Sequence, residues 1–300
     1  MKKINNKKLV SIGIPAYNGE PYIREALQSL VTQSYKHIEI IVSDDASTDA
    51  TLSICKEFAR KDKRIKILQS DKNRGAILNF RKVFNYTHGE YFMWGSNHDI
   101  WHKNFVKILV LILEENRDVV LAYPRTKAIN EKGKVLSYRF SDFDTARVPK
   151  MKRVKLVCQK MVNVGNMAYG LMRRDILRRT SIYPYCLMPD RLVLMELSVW
   201  GQFKQVKKYL WKRRFFQLKR TADDEIHHQY LSLFEDGKIP FWARFPVLTH
   251  MIGLIVFISL FPRRHIYSNF FIGFYMAFWY FVRKKGYMNR LILFLKRFFP

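Results

Sequence analysis

An α/β fold, with a mostly parallel sheet flanked by helices, is predicted by three features of this sequence. Short apolar runs alternate with amphipathic segments from residue 10 to residue 123. The runs end in loops rich in Pro, Asn and Asp, as strands do when a crossover helix follows. Beyond residue 221 that alternation gives way to two long apolar stretches in a basic, aromatic background. The 300 residues suffice for one α/β domain and an appendage, so the expected division is 1–221 and a helical tail over 222–300.

Val10, Ile12 and Ile14 form the first strand, which ends at Pro15. Ile23, Ala26, Leu27, Leu30 and Val31 recur at helical spacing, with Arg24, Glu25 and Gln28 on the opposite face. Residues 38–42 are the second strand, and Asp44 and Asp45 follow it. In an open parallel sheet the loops leaving neighbouring strands meet at one edge, so residues 15–20 and 43–49 should face each other across a crevice. Ligands bind in such crevices. The same acids also have a plainer reading as caps of the next helix, marked by Leu52, Cys55, Phe58 and Ala59.

Residues 64–68 alternate as a third strand, and 76–86 read as a helix. Gly75 at its entry lets the backbone approach a ligand, and the helix N-terminus favours phosphate. Residues 90–96 are a fourth strand running into Asn97, His98 and Asp99. An apolar helix over 105–113, a strand over 119–123, a hairpin turn at residues 130–133 and a strand within 165–174 follow. Pro189 and Asp190 then open a helix with Leu192, Met195 and Val199 on its apolar face.

A formal charge of +28, with 23 Phe and 16 Tyr, points to a polyanionic partner. Nucleic acid, anionic lipid and phosphorylated substrates share that chemistry, but no nucleic-acid motif accompanies the charge, so no nucleic acid is expected. The basic run at Arg147, Lys150, Lys152, Arg153, Lys155 and Lys160 reads as a solvated face, or as a landing strip for a phosphate-bearing acceptor or a membrane. Residues 204–220 carry eight Lys or Arg, no acid, and interleaved aromatics, which suits a membrane interface. Stretches 247–261 and 266–282 fall short of the ~20 residues of a spanning helix and read as an interfacial or re-entrant hairpin on the cytoplasmic side, with a transmembrane hairpin and a soluble helical tail as the alternatives. The basic and apolar start imitates a signal peptide, but the run is short and contains Pro15, so it reads as the first strand. Cys55, Cys158 and Cys186 lack metal-ligand spacing and suit thiols in a reducing compartment. No Ser/His/Asp order, paired cysteines or P-loop supports a hydrolase, redox or nucleotidase chemistry.

Pro15-Ala16-Tyr17-Asn18 and Asp44-Asp45-Ala46-Ser47-Thr48-Asp49 closely resemble the opening of the family 2 glycosyltransferases. That family ends its first strand in P-x-Y-N and its second in D-D-x-S-x-D. The resemblance, over residues 9–216, implies a GT-A fold, a Rossmann-like and mostly parallel sheet, and a nucleotide-sugar donor, a UDP-sugar first among them. It implies donor binding by Pro15, Ala16, Tyr17, Asn18, Glu20, Asp44 and Asp45, with Asp45 at the base. Asn73, Gly75 and Asn79 reproduce the family's N-x-G-x-x-x-N pattern, and Asn97 joins the same set.

The family's metal-binding D-x-D falls at residues 97–99, where only Asp99 remains acidic. His98 and Asp99 are the expected ligands of a divalent cation, Mn2+ or Mg2+, manganese tolerating the imidazole better. Family members open the acceptor-side helix with an acidic general base, and Asp190 matches it, Glu196 being the weaker candidate. Gln217-Leu218-Lys219-Arg220-Thr221 lacks the tryptophan of the processive Q-x-x-R-W motif, so one sugar per encounter is expected. The implied protein is an inverting transferase at the cytoplasmic face of a membrane, acting on a lipid-linked or cell-surface glycan. The alternative is a nucleotide-binding scaffold that lost its chemistry with the D-x-D.

Overall fold

A computed structural model describes residues 8–160, 167–216, 231–260 and 266–282. In chain order the first half contains β1 (Val10–Ala16), α1 (Glu20–Val31), β2 (Ile38–Asp44), α2 (Thr51–Lys61), β3 (Ile65–Gln69), α3 (Ala76–Asn85), β4 (Tyr91–Trp94), β5 (Ile100–Trp101) and α4 (Phe105–Glu115). The second half contains β6 (Val119–Ile129), α5 (Lys150–Lys160), β7 (Leu171–Arg173), α6 (Arg174–Leu177), α7 (Pro189–Trp200), β8 (Gln202–Arg214), α8 (Pro246–Leu260) and α9 (Ile266–Val282).

The strands form one mixed sheet in the order β3-β2-β1-β4-β7-β6-β8-β5. β3, β2, β1 and β4 run parallel, whereas β7 is antiparallel to both β4 and β6, and β8 is parallel to β6. Helices cover both faces, so β2 and β4 are buried along their whole length, β4 as a continuous apolar run and β2 with Glu39, Ser43 and Asp44 among its buried residues. Val10, Ile12 and Ile14 pack with the apolar stripes of α1 and α4 on one face. Phe92 and Trp94 pack with α3, α5 and α7 on the other. The basic start of the chain thus leads into an interior strand, and Cys55, Cys158 and Cys186 are buried thiols.

Three surface expectations change. β6 continues to Ile129 through register shifts around Pro124 and Arg125, beyond the strand expected over 119–123. Residues 204–214 belong to β8, an interior strand of the sheet with Phe203, Leu210 and Trp211 buried and Lys207, Lys208, Tyr209 and Lys212 exposed. The basic run near residue 150 forms α5, whose Arg153 is buried and donates through Nε to Ser198 O at 2.8 Å. The turn at 130–133 is as expected, with Gly133 N–H donating to Asn130 O and Lys134 N–H to Asn130 Oδ1, both at 2.9 Å.

α8 and α9 pair with each other and pack on α7 and α5 respectively. Leu254, Ile258, Ile272, Met276 and Tyr280 join the same core as Val154, Leu192 and Met195. No helix among the described residues is long and apolar enough to cross a membrane. Residues 217–221, the stretch 291–299 and the expected boundary at 221 lie outside the described residues.

Candidate active site

The two loops expected to meet do meet, and they are laced together. Asn18 Oδ1 accepts from Thr48 N–H at 2.9 Å, and Ser47 Oγ accepts from Asn18 N–H at 3.0 Å. Asp49 Oδ2 accepts from Glu20 N–H, and Glu20 Oε2 accepts from Ala50 N–H, each at 3.0 Å. The open N–H groups at the starts of α1 and α2 therefore find partners on each other's loops. Asp44 is 1% exposed, and its Oδ2 accepts from Ser47 N–H at 3.1 Å. Glu20, expected at the donor, is engaged in this lacing, Asp44 bonds within its own loop and keeps a buried Oδ1 with no partner among the described residues, and neither lines the cleft beside them.

That cleft, about 550 Å³, is lined by Pro15, Ala16, Tyr17, Asn18, Asp45, Asn73, Asn79, Asn97 and His98, joined by Phe80, Phe216 and Ser232. Nine residues proposed from sequence are thus together. Asp45 Oδ2 accepts from Arg74 N–H at 2.9 Å, and burial raises its carboxyl above the ordinary range despite the bonds from Arg74, Ser70 and Gly75. Asn79 Nδ2 donates to Ser43 O at 3.0 Å and Ala16 O at 3.3 Å, bracing the ends of β2 and β1. Its buried Oδ1 has no hydrogen-bond partner among the described residues.

Gly75 departs from its expected role. Its φ is +85°, and a Cβ there would lie 2.6 Å from the backbone carbon of Phe234. The close approach seen is to the backbone of residues 233–234. Ala76 N–H donates to Ser232 O at 3.0 Å and Ile77 N–H to Leu233 O at 3.1 Å. Two amides at the start of α3 are therefore occupied and do not form the open phosphate site expected there.

His98 and Asp99 sit at the far end of the cleft, under Arg214. Arg214 is 2% exposed and donates to His98 O at 2.9 Å, Asn130 O at 3.1 Å, Glu131 O at 2.6 Å and Glu25 Oε2 at 2.5 Å. Its own backbone N–H donates to Asp99 Oδ1 at 2.8 Å. Burial, with Arg213 and Arg214 adding to it, pushes His98 down to about 4, so the ring is neutral at neutral pH. Burial pushes Asp99 up to about 7.

Among the described residues no group of three or more His, Cys, Asp or Glu stands ready for a metal. His98 and Asp99 supply one imidazole and one carboxylate, 3.8 Å apart. Asp99 is 2% exposed with Oδ1 engaged, and two guanidinium charges oppose a cation there. A hard cation seeks six or so oxygen ligands and negative surroundings. This donor set does not fit a resident divalent cation.

A second chamber, about 210 Å³, adjoins the cleft across Phe80, which lines both, and across the neighbours Ser232 and Leu233. Asp190, Arg213, Tyr169, Tyr183 and Trp94 line it. Asp190 occupies the first turn of α7, after Met188 in the left-handed region (φ 52°) and Pro189, whose fixed φ suits a helix start. Burial raises the Asp190 carboxyl above its ordinary value, and Arg191 and Arg213 only partly offset this. The Arg213 side chain makes no hydrogen bond or ion pair with any described residue.

The loop before Asp190 is held from the tail. His250 is fully buried, and Leu187 O accepts from its Nε2–H at 2.7 Å, leaving Nδ1 to accept from the Tyr280 hydroxyl at 2.8 Å. Glu196, the weaker candidate base, faces the core: its Oε2 accepts from Ser181 N–H at 2.7 Å and Ser181 Oγ at 2.8 Å. Burial pushes it up to about 8, so at neutral pH it is a protonated structural group away from the chamber.

A mixed sheet with a nucleotide-sized cleft at the strand ends and a carboxylate chamber beside it is the architecture of GT-A glycosyltransferases. S. aureus TarS, solved with UDP, superimposes with a TM-score of 0.57 at 18% identity, over 93% of this chain and 91% of that one. Pyrobaculum calidifontis mannosyltransferase PcManGT, solved with GDP-Man and Mn2+, gives 0.52 at 14% identity, over 91% and 85%. The chain belongs to glycosyl transferase family 2, whose model matches residues 11–180. An uncharacterized glycosyltransferase of Haemophilus influenzae is 36% identical over 190 residues, 61% of this chain and 58% of that protein. A Bacillus subtilis protein, TuaG, whose name provisionally assigns it to teichuronic acid biosynthesis as a glycosyltransferase, is 35% identical over 100 residues, 33% of this chain and 40% of its own. The chain thus matches well under two thirds of these relatives' lengths.

Proposed function

We propose that this protein transfers a sugar from a nucleotide-sugar donor to a hydroxyl of a cell-surface or lipid-linked glycan, one sugar per encounter and with inversion. The observation that carries the reading is Asp190, a partly buried carboxylate with a raised pKa in a chamber that opens off the family's donor cleft. A single displacement needs one base on the acceptor side. Asp190 takes the proton from the acceptor hydroxyl while that oxygen attacks the anomeric carbon opposite the nucleotide. A UDP donor is favoured because TarS has been solved with UDP and with UDP-GlcNAc. Asp45 and Asn73 then face the base, and residues 15–18 run along the nucleotide. TuaG supports a cell-surface glycan as product.

Diphosphate charge is met by Arg213, which faces the chamber with no ion-pair partner among the described residues. Calorimetric titration with UDP and GDP, with Mn2+ and with EDTA, tests donor and cation together. UDP binding unchanged by EDTA is expected, with Arg213→Ala weakening it by about tenfold, the scale of one charge-assisted contact. Manganese-dependent binding lost in His98→Ala would reinstate the metal, and no binding to either nucleotide would overturn the donor reading.

The membrane attachment rests on the outer faces of α8 and α9. Leu248, Ile252 and Val256 form one exposed apolar row, and Phe270, Phe274 and Phe278 another, with Phe271 66% exposed. Rows spaced by four suit a helix lying in a headgroup layer with its apolar face down. Co-sedimentation with phosphatidylglycerol vesicles is expected, and Phe271→Asp with Phe274→Asp should release most of the protein. Equal sedimentation of that variant would remove the hairpin as the membrane contact.

A further inference from the structure

The chamber around Asp190 does not end at Arg213. The Arg213 guanidinium lies 5.4 Å from the ring centre of Phe215, on the same side of the β8 end. Phe215 in turn packs against Tyr138 at 5.6 Å and Phe140 at 6.1 Å, and those two rings meet edge to face at 5.0 Å. Tyr138 and Phe140 form one wall of a separate cavity of about 610 Å³, between β6 and the segment that follows the 130–133 turn. Phe216, the next residue, points the other way and packs on His98 at 5.1 Å in the donor cleft. Alternation along an extended chain thus sends one ring to the donor side and its neighbour to this cavity.

The cavity's remaining lining includes three cations and one further ring, Tyr209, beside apolar Val135 and Leu136 and neutral polar groups. Arg125, Lys127 and Arg139 stand against a single acid, Asp142, which Arg125 pairs with through both carboxylate oxygens. Lys127 and Arg139 are exposed and make no ion pair with any described residue. Lys127 Nζ lies 5.3 Å from the Tyr209 ring, and Tyr209 and Tyr138 are 54% and 45% exposed. Exposed rings offer flat apolar faces to the C–H faces of pyranose rings, and cations beside them select sugars that carry negative charge. An apolar partner would leave the cations undischarged, and a neutral glycan would use only the rings.

We infer that this cavity is the binding site for an acidic glycan, carrying carboxylate or phosphodiester groups, whose end reaches the Asp190 chamber along Phe215 and Arg213. Its role as the acceptor site rests on the transferase reading above; its binding chemistry does not. The growing end then sits at Asp190 while earlier residues of the glycan rest on Tyr138 and Tyr209, with their charges on Lys127 and Arg139. This makes the acceptor, and not only the donor, a polyanion recognised by the chain's surplus of positive charge.

The full chain is to be titrated with a galacturonate hexamer, a glycerol-phosphate hexamer, maltohexaose and a single-stranded DNA decamer, at low and moderate salt. Binding of one or both acidic oligomers is expected, weakening with salt, with maltohexaose at least about tenfold weaker. Which acidic oligomer binds assigns carboxylate or phosphodiester. Lys127→Glu with Arg139→Glu, and separately Tyr209→Ala, should each weaken that binding by about tenfold or more without moving the unfolding midpoint, because all three side chains are exposed. Equal affinity for maltohexaose, equal affinity for the DNA, no binding to either acidic oligomer, or indifference to both variants would overturn the inference. A parallel UDP titration separates the two readings: glycan binding without UDP binding keeps the cavity and removes the transferase, and the reverse result does the opposite.

Discussion

Asp190→Asn is expected to lower the transfer rate by about 10²–10⁴-fold while leaving the UDP affinity within about twofold of the parent. The amide has the shape of the carboxylate but cannot take a proton. In this reading Asp190 serves the acceptor hydroxyl, and Arg213 of the same chamber meets the diphosphate, which is why nucleotide binding should survive the loss of the carboxylate. The pH profile carries a second signature. Burial raises the folded pKa of Asp190 above its ordinary 3.8. A base works deprotonated, so the rate should fall as pH drops through that raised value, about tenfold per unit below it, and the acid limb should begin above the ordinary carboxylate range. The limb should vanish in the variant's residual activity. Undiminished turnover of Asp190→Asn would remove it as the base and turn attention to Asp99, the other buried carboxylate near Arg213.

Arg214→Leu should cost about 3–5 kcal/mol of folding stability, read by urea unfolding. The carbonyls of His98, Asn130 and Glu131 all accept from this one guanidinium and each loses that bond, although Asn130 O keeps the N–H of Gly133. A buried acceptor left unmade costs about 1–3 kcal/mol. Glu25, half exposed, can return to water, so the ion pair itself is the smaller part of the loss. Arg214→Lys should recover little, because a single ammonium cannot reach three carbonyls and a carboxylate that surround a planar fork. Full recovery by Lys would show that charge, and not the fork, holds the site. Arg214 also ties residues 98–99 to α1 and to the 130–131 turn. The Arg214→Leu protein should therefore bind donor more weakly through a loosened His98, even without urea, where it is still folded.

The two variants probe different layers of one arrangement. Asp190 and Arg213 line the chamber, whereas Arg214, Asn79 and His250 brace the segments around it and the cleft. Adjacent residues of β8 divide these tasks because alternate side chains leave a strand on opposite sides. The same alternation separates Phe215 from Phe216, and so separates the glycan cavity from the nucleotide cleft.

Short-range pattern alone accounts for much of the scaffold. The β-α-β opening, the meeting of residues 15–20 with 43–49, the 130–133 turn and the place of Asp190 at a helix start all follow from apolar period and turn chemistry within a few residues. So does the plainer capping role of Asp49, whose Oδ1 accepts from Thr51 N–H. Where each polar atom is spent, by contrast, is settled by long-range contacts. Glu25 and Arg214 are 189 residues apart in sequence, and Asp99 and Arg214 are 115 apart. The start of α3, which looks open to phosphate in isolation, is closed by carbonyls of Ser232 and Leu233. In a run of eight Lys or Arg, nothing local distinguishes Arg213 at the chamber and Arg214 in the core from exposed Lys207, Lys208 and Lys212. Periodicity reports which face of an element is buried, but a hydrogen bond is completed by whatever the fold brings across from elsewhere, and that partner has no fixed place in the sequence.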